Sequence, residues 1–265
     1  MNDKELPLSP ANHFPIGIIG GAGGIGRWFA AFFEKEGHPV HVSGRDTGLR
    51  PAEMAGVCPV VIVSVPIGVT EAVIREVGPH MKQESLLMDL TSLKAGPVRA
   101  MLETSVSEVV GLHPLFGPGV LSLEGQNIVL CPARGERWLP WVRDTLGKKG
   151  ATLIEVTPER HDEVMAVVQA LNHLNTLVLG LSIREAGISR EELERFSTPL
   201  FRARLEAVEN LFSHPQLYAE IIAGNPHASD ILELHERAFS AVKPLVVQRG
   251  AKALEERIRQ EYRKG

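Results

Sequence analysis

The stretch from Ile16 to Arg27, IGIIGGAGGIGR, limits what this chain can fold into more than any other. The short apolar run Ile16–Ile19 predicts a buried parallel strand. Gly21, Gly23 and Gly26 then give the spacing Gly-x-Gly-x-x-Gly, and Ile25–Glu36 carries helical apolar spacing that Gly37 stops. Strand, glycine turn and helix follow in order. Glycine is demanded here because one residue must turn tightly, a second must let backbone approach a pyrophosphate, and a third must let helix and strand pack closely. The N–H groups of Gly21, Gly23, Gly24, Ile25 and Gly26, at a helix start, are the expected cradle for a dinucleotide's phosphates.

Val40–Ser43 predicts a second strand, whose end normally holds the group that reads the adenosine ribose. There the chain has Ser43, Gly44, Arg45 and Asp46. Arg45 suits the 2′-phosphate of NADP, with Ser43 beside it, so NADP is favoured; Asp46 keeps NAD open, because a carboxylate suits the ribose 2′-hydroxyl. Val60–Val65 is β-branched and continuous, as in a strand buried on both faces, and its end at Ser64, Val65 and Pro66 should border the cofactor. Val69–Val77 predicts a crossover helix. Leu86–Leu90 is a further strand, followed by Ser92 and Lys94, and Val109–Leu112 is followed by His113. These strand ends bring a hydroxyl, a lysine and a histidine towards one edge of the sheet. Asn127–Cys131, a helix around Trp138–Lys148, and Ala151–Val156 complete an α/β domain over residues 1–157.

From Pro158 only helical spacing is found, so residues 158–265 form an all-helical domain. Its first helix, Glu159 to Glu185, repeats Val164, Val167, Leu171, Leu174, Val178 and Leu181 three and four apart, a seam for another helix. The opposite face carries Met165, Gln169, Asn172, His173 and Thr176, polar without charge, which suits the lining of a cavity. Gln169 and His173, four apart, should project together. Thr198 and Pro199 start a helix that runs to Phe212 and carries Arg202, Arg204, Glu209 and Asn210; Pro215–Ala223, Ser229–Val242 and Ala251–Arg263 are further helices. A small helical domain with such a seam invites homodimerisation.

A net charge of −4 gives no footprint for nucleic acid or an anionic membrane. Cys58 and Cys131 read as reduced core thiols, and no metal-ligand spacing exists. Met1–His13 lacks a signal peptide's apolar centre, and no apolar run approaches the roughly 18 residues of a membrane span. A cytoplasmic protein acting on a small molecule is expected.

Several segments together resemble the prephenate dehydrogenase family of tyrosine biosynthesis. They are the glycine loop, Val63–Ile67, Asp89–Lys94, Gly111–Pro118, His161–His173, Ser197–Arg202 and Pro215–Ala219. The segment Gly111-Leu112-His113-Pro114-Leu115-Phe116-Gly117-Pro118 is the most diagnostic. The resemblance implies a Rossmann-type domain followed by a helical substrate-binding domain, and oxidative decarboxylation of prephenate to 4-hydroxyphenylpyruvate with hydride passed to NAD(P)+. It implies His113 as the catalytic histidine, Ser92 as a serine bonding the same hydroxyl, and His173, with Gln169 beside it, as substrate contacts from the helical domain. Lys94 and Arg202 join them as candidate substrate ligands.

Asn210 stands where the family usually has an arginine holding a substrate carboxylate. Arg202 or Arg204 would have to serve instead, or the substrate differs: arogenate carries a side-chain amine, and 4-amino-4-deoxyprephenate carries an amine on the ring. Two other classes stand beside this reading. A hydroxyacid or imine reductase would normally need a lysine on the long helix, which has none, and a non-catalytic NADP sensor would need no convergence of His113, Ser92 and His173.

Overall fold

The computed structural model describes residues 13–44 and 49–263, which form two compact units divided between Val164 and Met165. The first unit contains β1 (Ile16–Ile19), β2 (Val40–Ser43), β3 (Val60–Val63), β4 (Leu86–Asp89), β5 (Glu108–Pro114), β6 (Asn127–Arg134) and β7 (Thr152–Glu155). They build one seven-stranded sheet in the order β2-β1-β3-β4-β5-β6-β7. The first five strands pair in parallel. Strand β6 departs from the parallel expectation and runs antiparallel to β5, with His113 opposite Val129. Residues 115–126 contain no helix, so nothing carries the chain back across the sheet, and it returns directly.

Around the sheet lie α1 (Gly24–Lys35), α2 (Pro51–Val57), α3 (Ile67–Val77), α4 (Ala95–Thr104) and α5 (Leu139–Gly147). Alternation along the strands sends Ile16, Ile18, Ile62 and Met88 to one face with Phe29, Phe33 and Trp138, and Val61, Val63 and Leu87 to the other with Met54, Ile74 and Met101. Each such side chain contributes about 1.5–3 kcal/mol on burial, so both faces are firmly covered. Helices α2 and α4 are additions to the sequence reading. The Gly96–Pro97 pair looks like a loop, yet proline is tolerated in a first turn, where its missing N–H would have no helical partner.

The helix expected from Glu159 runs as α6 (Pro158–Met165), a π-helical turn (Ala166–Leu171) and α7 (Asn172–Glu185). By compactness its first two turns belong with the sheet unit. His161 and Asp162 explain why: both are buried and bonded to that unit. The second unit continues with α8 (Arg190–Phe196), α9 (Pro199–Ser213), α10 (Pro215–Gly224), α11 (Ala228–Val247) and α12 (Ala251–Tyr262). Thr198 caps α9, its hydroxyl accepting from the N–H of Phe201 at 3.2 Å. Helices α7 and α9 meet at Gly180, where a Cβ would lie 2.6 Å from the Phe212 ring, so only glycine permits the approach.

The predicted seam is not covered within the described residues, since Val167, Val178 and Leu181 are about half exposed. The 158–185 rod also corrects the expectation that no stretch could span a bilayer. An 18-residue window in it reaches a mean hydropathy of 1.5, because the interspersed polar residues carry no charge. By length and composition alone it could cross a membrane.

Candidate active site

The glycine turn connects β1 to α1. Gly20 takes a φ of 85° and donates its N–H to the Ser43 carbonyl at 2.7 Å, while Gly23 donates to the Gly20 carbonyl at 2.9 Å. A Cβ on Gly26 would sit 2.5 Å from the Gly20 carbonyl oxygen, and one on Gly21 2.9 Å from Val42, so neither position admits a side chain. Gly23, Gly24 and half-exposed Ile25 open the helix to solvent, and no side chain caps it. Beside the turn, the Ser64 hydroxyl is buried with no protein partner among the described residues. Val65 is half-buried and Pro66 exposed at the same strand end. A glycine cradle, an uncapped helix start and an orphaned hydroxyl fit a dinucleotide's phosphates.

Ser43 does not face such a ligand. Its side chain is buried and its hydroxyl donates to the Leu49 carbonyl at 2.8 Å. Arg45 and Asp46 lie outside the described residues.

At the neighbouring strand ends, Lys94 is fully buried. Its ammonium pairs with Asp89 and donates to the Leu112 carbonyl at 2.9 Å, and its stem passes over Gly111. Asp89 also accepts from the Thr91 N–H at 3.0 Å. Lys94 therefore ties β4 to β5, and the expectation that it contacts substrate is corrected: its ammonium is already engaged by the Asp89 carboxylate and the Leu112 carbonyl inside the sheet unit. Ser92, two residues earlier, is half-buried.

His113 is 2% exposed on β5. Its Nδ1 lies 2.8 Å from Nε2 of His161, and Nδ1 of His161 lies 2.8 Å from Oδ1 of Asp162. The Asp162 carboxylate also accepts from the N–H groups of Lys94 at 2.8 Å and Ala95 at 2.9 Å, which closes the first turn of α4. Burial holds the His113 imidazole well below its usual 6.5, assisted by His161 and the Lys94 charge, so the ring is neutral at physiological pH. Burial by itself would raise the Asp162 carboxyl. The His161 bond and the two backbone N–H groups outweigh it, and the group lies below its usual 3.8.

The second unit holds a cavity of about 360 Å³ between α7, α9 and α10, lined by His173, Thr176, Arg204, Asn210 and Tyr218 among others. Asn210 donates to the Tyr218 hydroxyl at 2.7 Å, and the Tyr218 ring meets His173 edge-on at 4.7 Å. Burial lowers the His173 pKa and raises that of Tyr218. Arg202 is exposed and off this lining. Leu200, Ala203, Arg204, Ala207 and Asn210 share one face of α9, and residue 202 points about 200° away from Leu200. Gln169 is likewise off the lining, because it sits in the π turn, where the four-residue spacing to His173 loses its α-helical meaning.

The sequence reading placed His161 and Asp162 in a family segment but gave them no task. Nothing in a linear chain shows that residues 48 apart touch. An adjacent His-Asp pair inside an apolar helix was the available signal.

Residues 31–155 match the family model described as prephenate dehydrogenase, nucleotide-binding domain, and residues 157–260 match that described as prephenate dehydrogenase, dimerization domain. A protein of Methanocaldococcus jannaschii named as a probable arogenate/prephenate dehydrogenase is 37% identical over 251 residues, 87% of this chain and 55% of its own length. A 4-amino-4-deoxyprephenate dehydrogenase of Streptomyces pristinaespiralis is 26% identical over 80% of this chain and 77% of its own. The chain thus spans little more than half of the first of these relatives. In fold, it is similar to a prephenate dehydrogenase from A. aeolicus solved with hydroxyphenyl propionate and NAD+, with a TM-score of 0.75, 19% identity, and 95% and 96% of the two chains covered.

Proposed function

The chain belongs to the prephenate dehydrogenase family, and on that premise we propose that it oxidises a cyclohexadiene of the prephenate class, prephenate foremost, with loss of carbon dioxide. The observation that carries this reading is His113: a neutral imidazole hydrogen-bonded to His161 at the C-terminal end of a sheet strand.

A bound oxidised nicotinamide nucleotide supplies the hydride acceptor. Gly21, Gly23, Gly24, Ile25 and Gly26 would hold its phosphates, with Ser64, Val65 and Pro66 along its border. His113 takes the ring hydroxyl's proton as the carbonyl develops and returns it to the phenolic oxygen once the ring is aromatic. Ser92 hydrogen-bonds that hydroxyl. General base assistance of this kind contributes typically about 10²–10⁴-fold, and aromatisation makes the step downhill. His173 and Arg204 bind the substrate's polar groups, Arg204 being the permanent cation on the cavity lining. We assign NADP as the preferred nucleotide on the strength of Arg45, with NAD as the alternative.

A second reading, arogenate or 4-amino-4-deoxyprephenate as substrate, rests on the neutral Asn210–Tyr218 pair in the cavity. Homodimerisation through the helical unit is proposed from its exposed apolar residues, Val178, Leu181, Leu232 and Phe239 among them. Packing there, not lipid, would also occupy the apolar 158–185 rod, whose Asn172, His173 and Asn175 are costly in hydrocarbon. A side-by-side assay of prephenate, arogenate and 4-amino-4-deoxyprephenate with NADP and NAD tests the whole reading. Turnover of prephenate with NADP is expected, and turnover of none of the three would leave a nucleotide sensor.

A further inference from the structure

We propose that Asp162 and His161 are positioning residues that fix the tautomer of His113, keeping its proton on Nδ1 and presenting Nε2 as the acceptor of the substrate's proton. The inference rests on His113 being the base.

Three groups line up, each 1–2% exposed, with donor–acceptor distances of 2.8 Å at both joints. An ionised carboxylate only accepts hydrogen bonds, and Asp162 is held ionised by three N–H donors: His161 Nδ1 and the amides of Lys94 and Ala95. Nδ1 of His161 must therefore carry a proton. A neutral ring protonated there has its lone pair on Nε2, and Nδ1 of His113 lies against that atom and must donate to it. The remaining lone pair of His113 is then on Nε2. Any arrangement in which His161 donates through Nε2 reverses this, moves the His113 proton to Nε2, and removes the base.

Of the charges near His113, the Lys94 ammonium at the start of α4, paired with Asp89, disfavours a proton on the resting ring. The Asp162 carboxylate on α6 acts in the opposite sense, and only through the His161 ring it is bonded to. During turnover the proton passes from the hydroxyl oxygen to Nε2, and the O–H electron pair becomes the carbonyl π bond as hydride leaves for the nucleotide. The carboxylate's C–C electron pair aromatises the ring as carbon dioxide departs. The proton then returns to the phenolic oxygen, so none is gained or lost. While it resides on His113, the imidazolium donates through Nδ1 towards His161 and its carboxylate.

The test joins kinetics to a spectroscopic reading of the imidazoles in the full chain. In nitrogen-15 correlation spectra the residue 113 ring should show the Nδ1–H tautomer. In Asp162→Asn, where a carboxamide can donate to His161, it should switch to Nε2–H, with kcat falling roughly a hundredfold or more and KM little changed. His161→Gln, which can both accept and donate, should stay within about tenfold of the parent, whereas His161→Phe should fall as far as Asp162→Asn. Two results would overturn the proposal: a proton on Nε2 of residue 113 in the unmutated protein, or His161→Phe turning over at the parent rate. Should the protein oxidise none of the three cyclohexadienes, the spectra still decide the tautomer, so that failure is distinguishable from this one.

Discussion

Asn210 and Tyr218, on successive helices, are joined by a hydrogen bond of 2.7 Å at the wall of the second unit's cavity. The same phenol ring abuts His173. One side chain thus sets the position of two others. Tyr218→Phe keeps the ring but removes the acceptor, so Asn210 should swing free while His173 stays. The expected result is a KM raised about three- to tenfold with kcat nearly unchanged, the pattern of lost uniform binding, measured by steady-state kinetics.

Arg204 lines the cavity and Arg202 does not, although they are two residues apart. Arg204→Ala should therefore raise KM for an anionic substrate by about tenfold or more, as expected for loss of a charge-assisted bond worth about 1.5–3 kcal/mol. Arg202→Ala should leave it within about twofold, as for an ordinary surface change. Equal effects would contradict the helix-face assignment.

Gly26→Ala would drive a methyl into the Gly20 carbonyl. The helix must move off the strand, at a cost of about 1–3 kcal/mol. Calorimetry should record a lowered Tm, and titration should show nucleotide affinity lost more steeply than stability.

Lys94→Met leaves the Asp89 carboxylate buried without its cation. Destabilisation by about 3–5 kcal/mol is expected in urea unfolding, and Lys94→Met combined with Asp89→Leu should recover much of it. A loss of substrate affinity at unchanged stability would instead restore Lys94 as a ligand.

The acid side of the stability profile should fall in two windows. His113 is neutral when folded, with its pKa lowered from 6.5, so below pH 6.5 the unfolded chain takes up the proton more readily and stability declines as pH drops. Asp162 has its pKa lowered from 3.8. Its contribution is complete above that value and is lost as pH falls through its lower folded pKa. Urea midpoints measured from pH 3 to 8 should be level above about 7, and His113→Asn should shrink the first decline without touching the second, the remainder coming from His38 and His173, whose pKa values burial also lowers.

All seven strands could be read from sequence because β-branched runs such as Val60–Val63, bounded by glycine, proline or polar residues, have few other ways to be buried. The reversal at β6 could not, since direction depends on what the linking segment lacks. Helix α4 was hidden by its Gly-Pro opening, and the π turn because Ala166–Leu171 has the same apolar composition as an ordinary helical turn. His113 was legible through its surrounding motif. Lys94 was legible in position but not in orientation, because a lysine at a strand end looks the same whether its ammonium turns outward or, as here, inward to a carboxylate.

The carboxylate of Asp162 closes the first turn of α4 as well as gripping an imidazole. A descendant that abandoned oxidation altogether would still be under pressure to keep this aspartate, because discarding it would fray a helix that covers the sheet. Its retention in another genome therefore says little about turnover, and the histidine before it is the more informative marker.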